Sequence, residues 1–252
     1  MYDFSPTQEQ YLFRFAAPHS PEVRELRKRY GLEQLVVGSD SNLEKVRRLC
    51  TWVHSRWQHD GWNEPSSPDA LTILEEAATG KSFRCVEYSI VISACASALG
   101  LPSRVLQLKT EDSETRETGA SHVVSEIFLT DLGRWVLADG QWNVVPLQAE
   151  LPLNALELRL ALDEDEAAPL TSATDAPAET VREYATWIDE YLFCFVTWLD
   201  THRAELFTGE KLALLPPGAK APTVFQRRFP VSHTTYTYAA RAFYPELDER
   251  AR

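Results

Sequence analysis

Three residues of types that cooperate in nucleophilic catalysis follow one another along the chain: Cys85, His122 and Asp139. Cys85 stands where a short polar stretch containing Gly80 gives way to an apolar run, so we expect it at the N-terminus of a buried helix. The dipole at that end of a helix favours a thiolate, which is the form that attacks carbonyl groups. His122 and Asp139 lie on segments with strand-like patterns. Together, the three residues predict a cysteine nucleophile assisted by a base and an orienting acid.

The segments that carry these residues have patterns typical of an α+β fold. Apolar residues between 43 and 57 recur at spacings of three and four, which predicts an amphipathic helix with Asp40, Ser41 or Asn42 as its N-cap. The predicted helices cover 21–30, 43–57, 69–78, 85–98, 151–162 and 181–207, and the predicted strands cover 101–109, 121–129 and 135–139. The last helix leads us to expect a mainly helical C-terminal part.

Composition and charge restrict which kinds of partner the protein could bind and in which compartment it could function. The chain has 252 residues and a net charge of −12, which argues against a nucleic-acid partner because that would require a basic face. No apolar run approaches the ~18 residues of a membrane span, and the N-terminus lacks the pattern of a signal peptide. The four cysteines (Cys50, Cys85, Cys95 and Cys194) have no disulfide-framework spacing, so we expect reduced thiols in a cytoplasm.

Strand geometry sets a condition on any contact between His122 and Asp139. If Leu132 and Gly133 form a two-residue turn, Asp139 lies opposite Glu126 and on the same sheet face as His122. The two residues would then be separated by ~13 Å, at ~3.3 Å per residue. A hydrogen bond needs less than ~3.2 Å, so a functional pair requires a connection longer than a tight turn.

Three blocks of sequence resemble the transglutaminase-like superfamily of papain-like cysteine enzymes. The first runs from Cys85 through an apolar helix to Gly100-Leu-Pro-Ser-Arg104, the second is His122-Val-Val-Ser-Glu126, and the third is Trp135-Val-Leu-Ala-Asp139. The resemblance covers roughly residues 43–146. Many members of the family have a proline after the aspartate of the third block, whereas this chain has Gly140. That departure leaves the acid in place but changes the turn after it.

The resemblance implies a role for each residue of the three blocks. Cys85 would be the nucleophile, His122 would accept its proton and later protonate a leaving amine, and Asp139 would hold the imidazole in the useful tautomer. The backbone N–H of Cys85 would be one donor to the oxyanion. Candidates for a second donor or for substrate contact are Trp52, Gln58, Trp62 and Glu126, and Glu126 is alternatively a structural anchor of the sheet.

The implied architecture has three parts: a helical segment over 1–42, a papain-like catalytic core over 43–146 in which the cysteine helix packs on an antiparallel sheet, and an extension over 147–252 packed on that core, with a flexible acidic loop over 163–179. The implied activity is cleavage or transfer of an amide or peptide acyl group from a peptide, a protein or a small amide. We expect neither a cofactor nor a metal, since no calcium-binding loop pattern occurs. The alternative is an inactive fold that binds a peptide or protein partner.

Overall fold

The chain folds into helices packed on a largely antiparallel sheet, as described by a computed structural model over residues 2–17, 19–163, 168–201 and 209–247. The helices are α1 Pro21–Arg29, α2 Leu32–Leu35, α3 Asn42–His54, α4 Ala70–Ala78, α5 Cys85–Ala98, α6 Ala155–Asp163, α7 Ala178–Ile188 and α8 Ala240–Phe243, and a 3-10 turn covers Asp189–Tyr191. The strands are β1 Ser103–Lys109, β2 Ser121–Leu129, β3 Arg134–Ala138, β4 Pro146–Gln148, β5 Leu151–Pro152, β6 Thr171–Ser172, β7 Cys194–Trp198, β8 Lys211–Leu214, β9 Val224–Phe225, β10 Phe229–Pro230 and β11 Thr234–Thr237. No helix within these ranges is long and apolar enough to cross a membrane. The expected α+β class is confirmed.

The main sheet has six strands in the order β11-β8-β7-β1-β2-β3, and only its β11–β8 pair is parallel. One face of this sheet is covered by α1, α3, α4 and α5 around a large apolar cluster. The other face is covered by α6, α7 and α8 around a second cluster. The sheet is therefore sandwiched between the cysteine-bearing helix α5 on one side and helices of the C-terminal part on the other.

Helix α5 is held against β2 by a pair of serines. The Ser89 hydroxyl donates to the Val123 carbonyl at 2.8 Å, and the Ser125 hydroxyl donates to the Ser89 carbonyl at 2.9 Å. Both serines are almost fully buried, and their small side chains let the helix approach the strand closely. These bonds fix the helix along the strand, so the N-terminus of α5 lies near the start of β2.

The single helix predicted over 181–207 is wrong beyond Ile188. Residues Cys194–Trp198 form β7 instead, which pairs with β1 on one side and with β8 on the other. All five of its residues are buried, and five aromatic, β-branched or small apolar residues suit a central strand. The C-terminal part thus supplies three strands of the main sheet and is not mainly helical, while residues 202–207 of the predicted helix lie outside the described ranges.

The acidic loop expected over 163–179 is described only in part, because residues 164–167 lie outside the described ranges. Strand β6 pairs with β4, and the buried Thr174 donates its hydroxyl hydrogen to the Asn143 carbonyl at 2.5 Å. Helix α7 begins at Ala178. Residues 171–179 therefore lie against the segment that follows β3, next to Asp139.

Candidate functional site

His122 and Asp139 form a buried, hydrogen-bonded pair. The distance between His122 Nε2 and Asp139 Oδ2 is 2.6 Å, and the two residues are 2% and 1% exposed. The connection between β2 and β3 covers residues 130–133, and Leu137 rather than Asp139 lies opposite Glu126. Continuing that register places Asp139 opposite Val124, two residues from His122. The longer connection that strand geometry requires is present, so the two side chains meet across the strand pair.

The second carboxylate oxygen of Asp139 organises its own turn. Oδ1 accepts hydrogen bonds from the backbone N–H groups of Gln141 at 3.0 Å and Trp142 at 3.2 Å. Beneath the turn, the Cys50 thiol donates to the Asp139 carbonyl at 3.4 Å, and His54 Nδ1 lies 2.9 Å from the Gly140 carbonyl. The backbone N–H groups of this turn therefore orient the Asp139 carboxylate independently of its hydrogen bond to His122.

Gly140 allows this turn to lie directly against α5. A Cβ atom added to Gly140 would lie 2.8 Å from Ile92 Cδ1 and 3.1 Å from Tyr88 Cβ, which is closer than packed carbon atoms come. Ile92 and Tyr88 both belong to the helix that begins with Cys85. Gly140 thus brings the Asp139 turn and the cysteine helix into contact.

Cys85 is the first residue of α5 and is partly exposed. The helix start is stabilised by Glu87, whose carboxylate accepts the Arg84 backbone N–H at 3.1 Å and the Arg84 guanidinium at 2.8 Å. The unpaired N–H groups of the first turn make this end of the helix favourable for negative charge on sulfur or on an oxyanion.

The imidazole of His122 is held in its protonated form. Its burial acts to lower the pKa, but the charge and hydrogen bond of Asp139 and the neighbouring Cys85 thiol outweigh burial and raise the pKa to about 10. Because Nε2 is bonded to Asp139, Nδ1 is the ring nitrogen left for the sulfur. The site can therefore pair an imidazolium with a thiolate.

The structure does not bring Trp52 to this site. Its ring lies edge-on to Tyr30 at 5.9 Å and under the Arg56 guanidinium at 4.9 Å, whereas Cys50 and His54 occupy the side of α3 that contacts the Asp139 turn. Gln58 and Trp62 belong to the exposed loop after α3, and Trp62 is 87% exposed.

Glu126 is placed as an anchor of the sheet. It is 0% exposed, and its carboxylate accepts hydrogen bonds from the Arg104 guanidinium at 2.7 Å, the Tyr244 hydroxyl at 2.9 Å and the Ala155 backbone N–H at 2.9 Å. Arg104 is itself 0% exposed, with four aromatic rings around its guanidinium: Phe13, Trp135, Phe243 and Tyr244. With its oxygens engaged there, Glu126 is not available to a substrate.

His59 lies beside the site, in the loop that follows α3. Its backbone pairs with Phe83, two residues before Cys85, and the next N–H, from Asp60, donates to the Phe83 carbonyl at 2.8 Å. Partial burial and then the nearby His122 lower the pKa of His59. No local sequence pattern indicates this pairing, because it joins residues 24 positions apart.

Within the part of the chain that the structure describes, neither a metal-binding group nor the cavity between the helices adds residues to this site. No group of three or more His, Cys, Asp or Glu side chains in the described ranges is arranged to hold a metal ion. A cavity of about 470 Å³ lies between α1, α4, α5 and β1, lined in part by Ile90, Ser97 and Val105. Its lining includes neither Cys85 nor His122, so it is separate from the site.

Comparison with known proteins relates part of this chain to a known superfamily. No curated protein matches the chain. Among solved structures, the chain is similar to a provisionally assigned cysteine protease from Cytophaga hutchinsonii, with 14% identity over 50% of this chain and 40% of that chain and a TM-score of 0.37. It is also similar to a TGase, with 18% identity over 47% of this chain and 30% of that chain and a TM-score of 0.33. A third similar structure is red sea bream transglutaminase, with 14% identity over 47% of this chain and 25% of that chain and a TM-score of 0.31. The matched region thus covers less than half the length of each of these three solved chains. The sequence profile of the transglutaminase-like superfamily matches residues 31–140. Over these residues the chain resembles the transglutaminase-like superfamily, as the blocks around its cysteine, histidine and aspartate predicted.

Proposed function

We propose that the chain is a cysteine enzyme that cleaves or transfers an amide or peptide acyl group through a thioester on Cys85. The observation that carries this proposal is the buried 2.6 Å hydrogen bond between His122 and Asp139, beside the helix that begins with Cys85. A histidine oriented by an acid next to a thiol is the arrangement that activates sulfur as a nucleophile. The match of residues 31–140 to the transglutaminase-like superfamily also supports acyl chemistry on a cysteine.

In the first half of the reaction, Cys85 Sγ forms a bond to the carbonyl carbon and the bond from that carbon to the leaving amine breaks. The proton of the thiol is held on His122 Nδ1 and passes to the leaving nitrogen, so the amine departs neutral. Asp139 keeps the Nε2 proton directed at itself and stabilises the imidazolium. The product of this half is a thioester between the acyl group and Cys85.

In the second half, a nucleophile resolves the thioester. His122 takes a proton from water or from a second amine as that nucleophile attacks the acyl carbon, and the Cys85 thiolate leaves. Water yields a carboxylic acid and an amine yields a new amide. The same residues serve both reactions, so the proposal covers a hydrolase and an acyltransferase.

Two donors are proposed for the oxyanion that forms in each half. One is the backbone N–H of Cys85 at the N-terminus of α5. The other is the imidazole of His59, which is supported by the pairing of His59 with Phe83 and by its nearness to His122. The lowered pKa of His59 favours a neutral ring at pH 7, which donates through one nitrogen without adding a charge.

Trapping of an acetyl-enzyme tests the proposal. The protein is mixed with p-nitrophenyl acetate, quenched in acid, digested and mapped by mass spectrometry; acetylation of Cys85 is expected, and the Cys85→Ala variant should lose it. Cys50, Cys95 and Cys194 are at most 2% exposed and serve as internal controls. Iodoacetamide at pH 6–7 should likewise alkylate Cys85 first. Equal, slow labelling of all four thiols with no acetyl-enzyme would contradict the proposal and favour a non-catalytic binding module.

A further inference from the structure

An aromatic wall, made of Trp142, Trp187 and Tyr191, covers one side of the His122 imidazole. The Trp187 ring stands edge-on to His122 with their centroids 4.8 Å apart and their planes at 77°. Trp187 also lies 5.2 Å from Trp142 and 5.0 Å from Tyr191. The three rings therefore form one continuous aromatic surface that ends at the imidazole.

The aromatic wall differs from core aromatic packing because part of it reaches solvent. Trp142 and Trp187 are half-buried, whereas Tyr184, which lies behind Trp142 at 5.8 Å, is 0% exposed. Aromatic rings with one face supported and another accessible can stack on a bound molecule. The supported face fixes their position, so little ordering is needed when a ligand binds.

Residues outside the segment matched to the superfamily build this surface. Trp187 belongs to α7 and Tyr191 to the 3-10 turn after it, whereas the match ends at residue 140. The turn is fixed by an ion pair between Glu190 and Arg116, with a distance of 2.9 Å. Burial and Glu190 raise the pKa of Tyr191. The Tyr191 ring lies 6.1 Å from the His122 ring, so this end of the wall also adjoins the imidazole.

The proposed reaction assigns a part of the substrate to this surface. His122 must come within hydrogen-bond distance of the leaving or incoming nitrogen, so the amine portion lies beside the imidazole. The aromatic wall adjoins the same ring. Resting on the proposed function, we infer that the aromatic wall selects amines that carry a flat aromatic group, as leaving group or as acceptor. Trp187 is the central residue of this selectivity because it contacts both His122 and the other two rings.

Competition between two amines for the acetyl-enzyme tests this inference. Acetyl-Cys85 is formed with p-nitrophenyl acetate, and benzylamine and cyclohexylmethylamine are supplied at equal concentration. These amines have similar size but differ in the flatness of the ring. Because benzylamine is the weaker base, each product ratio is divided by the ratio that the same mixture gives with p-nitrophenyl acetate in the absence of enzyme. The two N-acetyl amides are quantified by mass spectrometry for the wild type, Trp187→Leu, Trp187→Phe and the control Phe4→Leu, which alters an exposed aromatic residue outside the wall.

The wild type should favour benzylamine by about fivefold, which corresponds to ~1 kcal/mol of aromatic contact. Trp187→Leu should bring the product ratio to about one, while Trp187→Phe and Phe4→Leu should keep the preference. The same ratio in the wild type and Trp187→Leu would overturn the inference, since a wall that only shields His122 from water changes both amide yields equally. An acetyl-enzyme that yields neither amide would also overturn it. If acetyl-Cys85 does not form in the wild type, the proposed function fails, and this inference fails with it.

Discussion

Asp139 binds His122 through one carboxylate oxygen only, because its other oxygen is engaged by the backbone of its own turn. These bonds together fix the orientation of the Asp139 carboxylate. This arrangement also separates two properties of Asp139 that a substitution can test independently: its ability to accept the backbone hydrogen bonds and its negative charge.

The Asp139→Asn variant should keep the turn and lose the charge. An asparagine oxygen can still accept from the backbone, but its NH₂ group favours the wrong imidazole tautomer, so we expect acetylation of Cys85 to slow by about 10³–10⁴-fold. Stopped-flow release of p-nitrophenol measures this rate. The matched control is Asp175→Asn, an exposed carboxylate that contacts Asn143 of the same segment. Equal rates for the Asp139 variant and the control would exclude a role for the Asp139 charge.

Stability should depend on pH through His122. Its pKa is raised to about 10 in the folded protein, above the ~6.5 of an unfolded chain, so its contribution is complete below pH ~6.5 and is lost as pH rises towards 10. The difference in unfolding free energy between wild type and His122→Gln should therefore shrink between pH 6.5 and 10. Urea titrations at several pH values measure it, with His19→Gln, an exposed histidine, as control. A difference that grows with pH would refute the expectation.

Loss of His59 should affect acyl transfer more than alkylation. Removal of one oxyanion donor slows catalysis by about 10²-fold or more, so His59→Ala should slow acetylation by that amount. Alkylation by iodoacetamide forms no oxyanion and should change little. Asn63→Ala, which alters an exposed residue of the same loop, is the control for disturbance of the loop. A parallel fall in both reactions would assign His59 to the support of Cys85 instead.

Gly140→Ala should separate the Asp139 turn from α5. The added methyl group has no room against Ile92 and Tyr88, so we expect the unfolding free energy to fall by ~1–3 kcal/mol. The shifted turn should also lower the rate of Cys85 alkylation. Gly209→Ala is the matched control, because its added Cβ would make only an ordinary 3.8 Å contact with Trp198, and its effect should stay below ~1 kcal/mol. Equal effects of the two substitutions would show that the close approach is not limiting.

Glu126→Gln tests whether Glu126 stabilises the fold or contacts the substrate. The change leaves the buried Arg104 charge without its partner, which costs ~3–5 kcal/mol. The fraction that remains folded should alkylate Cys85 at the wild-type rate. The double variant Arg104→Met/Glu126→Leu should recover much of the lost stability, since no buried charge is left unpaired. Slower alkylation with unchanged stability would instead place Glu126 in the site.

The sequence predicted the elements whose signals are local. Helix α3 begins after Ser41, one of its three proposed caps, and α5 covers Cys85–Ala98 as its apolar run and Gly100 indicated. Strand parity also led to a correct condition on the β2–β3 connection. These features depend on neighbours within a few residues, where caps, turns and periodicity act.

The features that the sequence did not reveal depend on distant partners. Trp187, Tyr191, Phe195 and Trp198 are spaced as on a helix, yet pairing with β1 and β8 draws Cys194–Trp198 into the sheet. Likewise, Glu126 is satisfied by Arg104 and Tyr244, and His59 is positioned by Phe83. Such contacts between remote segments override local propensity, and they produce no periodic pattern in the sequence from which they could be predicted.

The central position of β1 in the sheet has a consequence for synthesis on the ribosome. Strands β2 and β3 follow β1 directly, but the other edge of β1 pairs with β7, whose first residue is Cys194. While the intervening chain emerges, that edge has unpaired backbone groups and can template association with other nascent strands. Between the synthesis of Lys109 and that of Cys194, the nascent chain therefore has an unpaired apolar strand edge, which is the kind of surface that favours aggregation during folding.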